Sequence, residues 1–282
     1  MINVRDFFIN AIRLIRPLNV AITFLSVMVA GFICSGNQDV AAKLFFASLA
    51  AAFIAASANI INDYFDIEID KINRPERILA SGKMKVRTAL LLYFCFILGG
   101  IVLSFFVNAA AILIVFGSAI LTFYYSYKFK KIPLLGNTLV AFMTGLAFLF
   151  GGVAVGNIGS AVFPFIFAFT INFMREVVKD MEDAEGDTCA NVFTFPVKFG
   201  FGKAKMLLYV FALFLVIEML IPVLLKIYNA KYLVLITITV IPMLMYSMQI
   251  VHKKNDKPSF GKVSLLLKLQ MIFGLLAIFL GS

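Results

Sequence analysis

Apolar runs of about twenty residues, separated by short polar breaks, recur from one end of this chain to the other, each long enough to cross a hydrocarbon core of about 30 Å as a helix. The pattern predicts spans near residues 18–35, 41–61, 88–107, 109–127, 136–156, 161–178, 206–226, 232–251 and 264–281. Spans apolar on every side cannot be barrel strands, whose residues alternate in polarity, so their backbone hydrogen bonds must close within helices. The expected fold is all-α, a polytopic transmembrane bundle of about nine helices. No linker, low-complexity stretch or shift in composition divides it, so residues 1–282 are expected to form a single integral membrane domain. The first seventeen residues carry Arg5, Asp6, Arg13 and Arg16 in an amphipathic pattern and predict an interfacial helix leading into the first span, not a cleavable signal.

Composition agrees: 62% of the residues are hydrophobic, 32 of the 282 are phenylalanine, and the mean hydropathy is +0.99, which excludes an ordinary soluble globule. A net charge of +10 could suggest nucleic acid in a soluble protein, but here its distribution among the loops is more informative. Arg5, Arg13 and Arg16, the segment Lys71 to Arg87, Lys128 to Lys131, Arg175 to Lys205 and Lys253 to Lys262 all fall in loops on one side. Only Lys43, Lys226 and Lys231, with Lys268 just inside the last span, fall elsewhere. Basic residues concentrate on the cytoplasmic side, which predicts a cytoplasmic N-terminus, an outside C-terminus and polar loops opening to the cytoplasm of the cell membrane. The partners expected are membrane lipids; neither nucleic acid nor a protein partner is implied. Cys34, Cys95 and Cys189 have no disulfide or zinc spacing, and His252, beside Lys253 and Lys254, reads as a solvated loop residue.

The acids concentrate in two windows, Asp63, Asp66, Glu68, Asp70 and Glu76, then Glu176, Asp180, Glu182, Asp183, Glu185 and Asp187. Each follows a span predicted to run from outside to inside. A helix C-terminus carries partial negative charge, so carboxylates there need a compensating cation. If the second helix continues past the membrane surface, Asn62, Asp66 and Asp70 share one face at i, i+4 and i+8. Asp180, Asp183 and Asp187 share one at i, i+3 and i+7. Oxygen ligands with no histidine or cysteine favour Mg2+ over zinc, and Mg2+ commonly completes its shell with phosphate oxygens. Two such stripes facing each other, with Lys71, Arg74, Arg77, Lys179, Lys128, Lys130 and Lys131 nearby, would suit a diphosphate.

Other readings stand beside this one. Juxtamembrane basic residues, taken singly, are more often headgroup anchors, and Tyr124, Tyr125 and Tyr127 could form an interfacial aromatic belt. Glu218, inside the seventh span, reads as a protonated acid bonded between helices. A divalent-cation or anion transporter could also use acid stripes. Transport sites usually lie at the bilayer midplane between repeats, however, whereas these acids lie at span ends and nine spans do not divide equally.

NDYFDIEIDKINRPERILASG, residues 62–82, resembles the first signature of the UbiA superfamily of intramembrane prenyltransferases, and KDMEDAEGD, 179–187, is similar to its second. KKIPLLGN at 130–137 and FPVKFG at 195–200 also resemble family loops. The resemblance implies a prenyl transfer in which Asn62, Asp66 and Asp70, with Asp180, Asp183 and Asp187, hold two Mg2+ ions on the diphosphate of an isoprenyl donor. It makes Asp66, Asp70, Asp183 and Asp187 the catalytic acids, and Arg77, Lys128, Lys131, Tyr124 and Lys179 the diphosphate-binding groups. Arg13 and Arg16 would then meet the phosphate of a lipid acceptor. RPLN at 16–19 with REVVKDMEDAEGD at 175–187 most resembles the branch that prenylates the free hydroxyl of geranylgeranylglyceryl phosphate in archaeal ether-lipid synthesis. Branches that use aromatic or quinone-precursor acceptors carry similar motifs and supply the alternative.

Overall fold

The computed structural model describes residues 4–36, 40–189 and 192–282. Its helices, in order, are α1 (Val4–Ile15), α2 (Pro17–Ser35), α3 (Ala41–Phe65), α4 (Ile67–Asn73), α5 (Val86–Ser104), α6 (Ala109–Tyr127) and α7 (Leu135–Val155). They continue as α8 (Val162–Cys189), α9 (Phe195–Phe199), α10 (Phe201–Leu224), α11 (Ala230–Leu235), α12 (Ile241–Lys253) and α13 (Lys257–Gly281). Among the described residues there are nine helical segments long and apolar enough to cross a membrane, and no strand. The expected all-helical polytopic fold is therefore the observed one. Residues 236–240 join α11 to α12 as a π-helical turn, so Ala230–Lys253 forms one span.

Several spans run beyond the ends that hydropathy predicts. The sixth covers Gly159–Cys189 rather than 161–178, the seventh begins at Phe201 rather than 206, and the ninth at Lys257 rather than 264. The added turns contain Lys203, Lys205, Lys257 and Lys262 or, after Val178, Lys179, Glu182 and Glu185, good helix formers that hydropathy scores as breaks.

The chain divides into two compact units, residues 1–129 with 150–158, and residues 130–149 with 159–282. In the first unit α3 is the centre, packed against α2, α5 and α6. Its run of small residues, with Ala47, Ser48, Ala50, Ala52, Ala56 and Ser57 all buried, lets neighbouring backbones approach closely, which is how helices associate where lipid offers no hydrophobic drive. In the second unit α8 holds that place against α10 and α13. Buried positions make up 56% of the core window of α3 and 67% of that of the sixth span, against at most 39% elsewhere, so the two helices that carry the acidic motifs are the most enclosed.

At one end of the first unit, α1 and the segment between α4 and α5 close over α3. Leu14, Ile60, Ile61, Ile78, Leu79, Met84, Ala89 and Tyr93 form a buried cluster there, and each large aliphatic side chain removed from water contributes roughly 1.5–3 kcal/mol. Gly82, at φ +71°, makes the turn that brings the Lys83 N–H back to the Ile78 carbonyl at 3.1 Å and so fixes residues 74–85 on the cluster.

A close backbone approach in the first unit lies between α7, about one turn before its end, and the middle of α2. A Cβ on Gly151 would meet the Val27 carbonyl oxygen, the Gly31 nitrogen at 2.8 Å and the Ala30 Cβ at 3.0 Å. Two of these are backbone atoms, which cannot swing away. Gly151→Ala is therefore expected to destabilise the protein by about 1–3 kcal/mol, read as a lowered thermal unfolding midpoint in detergent; an unchanged midpoint would show that the two helices do not meet here.

Candidate active site

The first acidic motif begins where α3 stops. Asp66 departs from helical geometry (φ −98°, ψ 4°), yet its N–H still donates to the Asn62 carbonyl at 3.0 Å and its carbonyl accepts from the Asp70 N–H at 2.7 Å. Asn62, Asp66 and Asp70 are thus linked along the backbone although the continuous helix expected from their spacing is broken at Asp66. The break places Glu68 and Asp70 in the first turn of a new helix, α4, next to its amide end rather than at a carbonyl end.

The guanidinium partners complete the local charge balance. Asp63, 3% exposed, lies in the last turn of α3. Its Oδ1 accepts from Arg16 Nη2 and is also 3.4 Å from Arg77 Nη1. The same Arg77 nitrogen donates to Asp70 Oδ2 at 2.6 Å. One helical turn before Asp63, Asn59 Nδ2 donates to the Ile15 carbonyl at 2.8 Å, so α3 holds the α1–α2 junction through two neighbouring side chains. Burial drives the Asp70 carboxyl up from 3.8 to about 6, against the opposing pull of Arg77. Burial works against the charge of Arg77, but Asp63 and Asp70 outweigh it and hold that guanidinium above its ordinary range.

The second motif stays on one unbroken helix. Asp180, Asp183 and Asp187 lie on the last turns of α8, Asp187 buried and Asp180 and Asp183 partly so. Asn137 Nδ2 on α7 donates to Asp180 Oδ2 at 2.8 Å, and Thr194 Oγ1 donates to Asp187 Oδ2 at 3.2 Å. Glu176, 5% exposed, accepts from Lys179 Nζ at 2.8 Å on each oxygen and from Arg175 Nη1 at 3.2 Å.

The remaining expected residues divide. Arg16 and Arg77 come together through Asp63, and Lys179 is engaged with Glu176 on its own helix. Lys128, Lys131 and Arg13 are exposed, and Tyr124, also exposed, stacks on Phe129 with centroids 6.3 Å apart. Glu218 accepts from Thr170 Oγ1 at 2.9 Å, a bond between α10 and α8. Asp63, Asn59 and Asn137 escape a reading by spacing because each acts on a residue far away in sequence. Asn59 and Asp63 offer only their place at a helix end beside a ligand motif, and Asn137 only its place in KKIPLLGN.

Among the described residues no three His, Cys, Asp or Glu side chains converge as a metal cage. The acids are carboxylate oxygens, with the amide oxygen of Asn62, and no nitrogen or sulfur donor stands among them. That hard and sparse set fits an ion that takes much of its shell from water and phosphate, as Mg2+ does.

Residues 23–272 match the UbiA prenyltransferase family, and the chain belongs to it: this is an intramembrane prenyltransferase. Its similarity extends to particular members. The digeranylgeranylglyceryl phosphate synthase of Methanopyrus kandleri is 36% identical over 272 residues, covering 96% of this chain and 98% of the relative. A solved structure of a digeranylgeranylglyceryl phosphate synthase has a TM-score of 0.76 at 35% identity, covering 97% of this chain and 98% of that one. A UbiA homologue from Archaeoglobus fulgidus, solved with DMAPP and Mg2+, shares the fold with a TM-score of 0.64 at 21% identity, covering 95% and 99%.

Because Asp70 holds a proton in the folded protein up to about pH 6, whereas the ordinary carboxyl releases it near 3.8, its contribution to stability falls as pH rises through that window. Thermal unfolding of metal-free protein across this range should show a component of that sign, and Asp70→Asn should remove it; an identical pH profile in the variant would contradict the assignment.

Proposed function

We propose that this enzyme transfers a geranylgeranyl group from its diphosphate to the free hydroxyl of geranylgeranylglyceryl phosphate, the second prenylation of archaeal ether-lipid synthesis, with Mg2+ as cofactor. Full-length similarity to digeranylgeranylglyceryl phosphate synthases carries this reading. The oxygen-only donor sets at the ends of α3 and α8 support its metal requirement.

In this reading Asn62, Asp66 and Asp70 hold one Mg2+, and Asp183 and Asp187, with Asp180, hold a second. When bound, the ions offset the charge that builds on the leaving diphosphate. Asn137 and Thr194 orient the second set by fixing one oxygen each of Asp180 and Asp187. Arg77, Lys128, Lys131, Lys179 and Tyr124 donate to the diphosphate oxygens while the allylic C–O bond breaks. Arg13 and Arg16 bind the acceptor's phosphate, so that its free hydroxyl oxygen is directed to the electron-poor allylic carbon and forms the ether bond there, its proton passing to the departing diphosphate. Water would capture the same carbon, and the apolar helices around the site keep it out. The basic residues concentrated on one set of loops support a cytoplasmic N-terminus, an outside C-terminus and a site that opens to the cytoplasm, where soluble diphosphates are made.

An acceptor panel with one labelled donor tests the reaction. Purified protein with labelled geranylgeranyl diphosphate and Mg2+ should label geranylgeranylglyceryl phosphate and leave homogentisate and quinone precursors unlabelled. Asp66→Ala or Asp183→Ala should lower turnover by at least about a thousandfold, and EDTA should stop it. Label in the aromatic acceptors alone would replace the lipid acceptor, and turnover indifferent to EDTA would overturn the role of the metal.

A further inference from the structure

The grouping of Arg16, Asp63 and Arg77 is not accounted for by a metal ligand set. Asp63 lies in the acidic window, but its accepting oxygen is already shared by two guanidiniums, one from the α1–α2 junction and one from the segment after α4. Three features mark this as more than a staple between helices.

The first is the order of burial. The Asp63 side chain is 4% exposed, whereas those of Arg16 and Arg77 keep 28% and 16%, so the anion lies beneath its cations. Each guanidinium has five N–H donors, and Asp63 and Asp70 accept only part of the ten available. The second is charge. Arg77 also bonds Asp70, but in the prenyl-transfer reading that carboxylate serves Mg2+, which leaves Asp63 with two arginines drawn to one oxygen and positive charge over the pair. Bringing two like charges together at low exposure is costly unless an anion joins them. The third is backbone strain. Arg16 adopts φ 56° and ψ 74°, a left-handed conformation that an arginine occupies at a cost of roughly 1–2 kcal/mol. Its carbonyl accepts from the N–H groups of Asn19 and Val20, at 2.9 and 3.3 Å, so the strained residue begins α2 and directs its side chain to Asp63.

We propose that Asp63 is a positioning residue: its buried carboxylate holds the Arg16 and Arg77 guanidiniums side by side as a forked subsite for one substrate phosphate group, in place of the separate phosphates given to the two arginines above, and it does not ligate metal. The inference rests on the prenyl-transfer reading for the identity of the substrates, both of which carry phosphate. Paired guanidiniums suit phosphate because each presents parallel N–H donors at the spacing of two phosphate oxygens. Asp63 touches no substrate and acts through the two arginines, unlike Asp66 and Asp70.

The test compares Asp63→Asn with wild type in detergent, measuring KM for donor and for acceptor, kcat, and the Mg2+ concentration for half activity. Loss of the clamp should raise one of the two KM values about tenfold or more while the Mg2+ requirement stays unchanged. A rise in the acceptor's KM assigns the subsite to the phosphomonoester, and a rise in the donor's assigns it to the diphosphate. In an Arg16→Gln/Arg77→Gln background, adding Asp63→Asn should change that KM by less than about twofold, because the groups it acts through are gone. A shifted Mg2+ requirement with both KM values unchanged, a fall in kcat alone, or a full additive effect in the double-arginine background would each overturn the proposal. Should Asp63→Asn fail to fold, Arg16→Lys keeps the charge but loses the fork; it should raise the same KM, and an unchanged KM would count against the clamp.

A second readout separates this inference from the reaction. With EDTA present, inorganic diphosphate should raise the thermal unfolding midpoint of wild type and raise it less in Asp63→Asn. If no tested acceptor is turned over but this difference appears, the prenyl-transfer reading fails while the phosphate clamp stands. If wild type and variant respond alike, the clamp fails whatever the reaction.

Discussion

The charge at the membrane ends of α3 and α8 is the constraint on which the rest of this structure depends. Carboxylates in these enclosed helices lose water, and at a helix C-terminus they also face the negative end of the backbone. The first motif meets the difficulty by breaking α3 at Asp66 and by bringing two arginines from other segments onto Asp63 and Asp70. The second keeps one helix and gives three of its acids a donor each, Asn137 for Asp180, Thr194 for Asp187 and Lys179 for Glu176. Without Arg77 the Asp70 carboxyl, already raised by burial to about 6, would rise further and attract a cation less well.

The proposed reaction would use the same arrangement: carboxylates held by hydrogen bonds and neighbouring cations would receive a metal-bound diphosphate, and apolar helices would exclude the water that competes for the transferred group. The supporting contacts also join the fold to the chemistry. Arg77 reaches Asp63 and Asp70 because Ile78 and Leu79, its neighbours in sequence, are anchored in the cluster formed with Leu14, Ile60 and Tyr93. Loosening that cluster would misplace the guanidinium without touching any acid.

Much of this was legible in the sequence, for identifiable reasons. Helices in lipid must close their own hydrogen bonds, so hydropathy alone locates α2, α5 and α6 to within a few residues. It fails at the ends of α8, α10 and α13, where charged residues extend a helix beyond its apolar part. The break at Asp66 and the π turn at 236–240 lie within patterns that read as continuous helix. The candidate acids Asp66, Asp70, Asp183 and Asp187 stand out in the sequence because oxygen donors repeated at helical spacing are rare in such a chain. The pairing of Asp63 with Arg16, 47 residues away, and of Asn137 with Asp180, 43 away, was not visible, because tertiary partners leave no periodic trace.

In the proposed reaction the acids receive a diphosphate through Mg2+. Equilibrium binding of an unreactive thio-analogue of geranylgeranyl diphosphate, titrated with Mg2+ in detergent, addresses it without requiring turnover or an acceptor. Binding should strengthen steeply with Mg2+, and Asp66→Asn with Asp183→Asn should abolish that dependence. Equal affinity in EDTA and in Mg2+ would show that the acids do not bind the diphosphate through the metal.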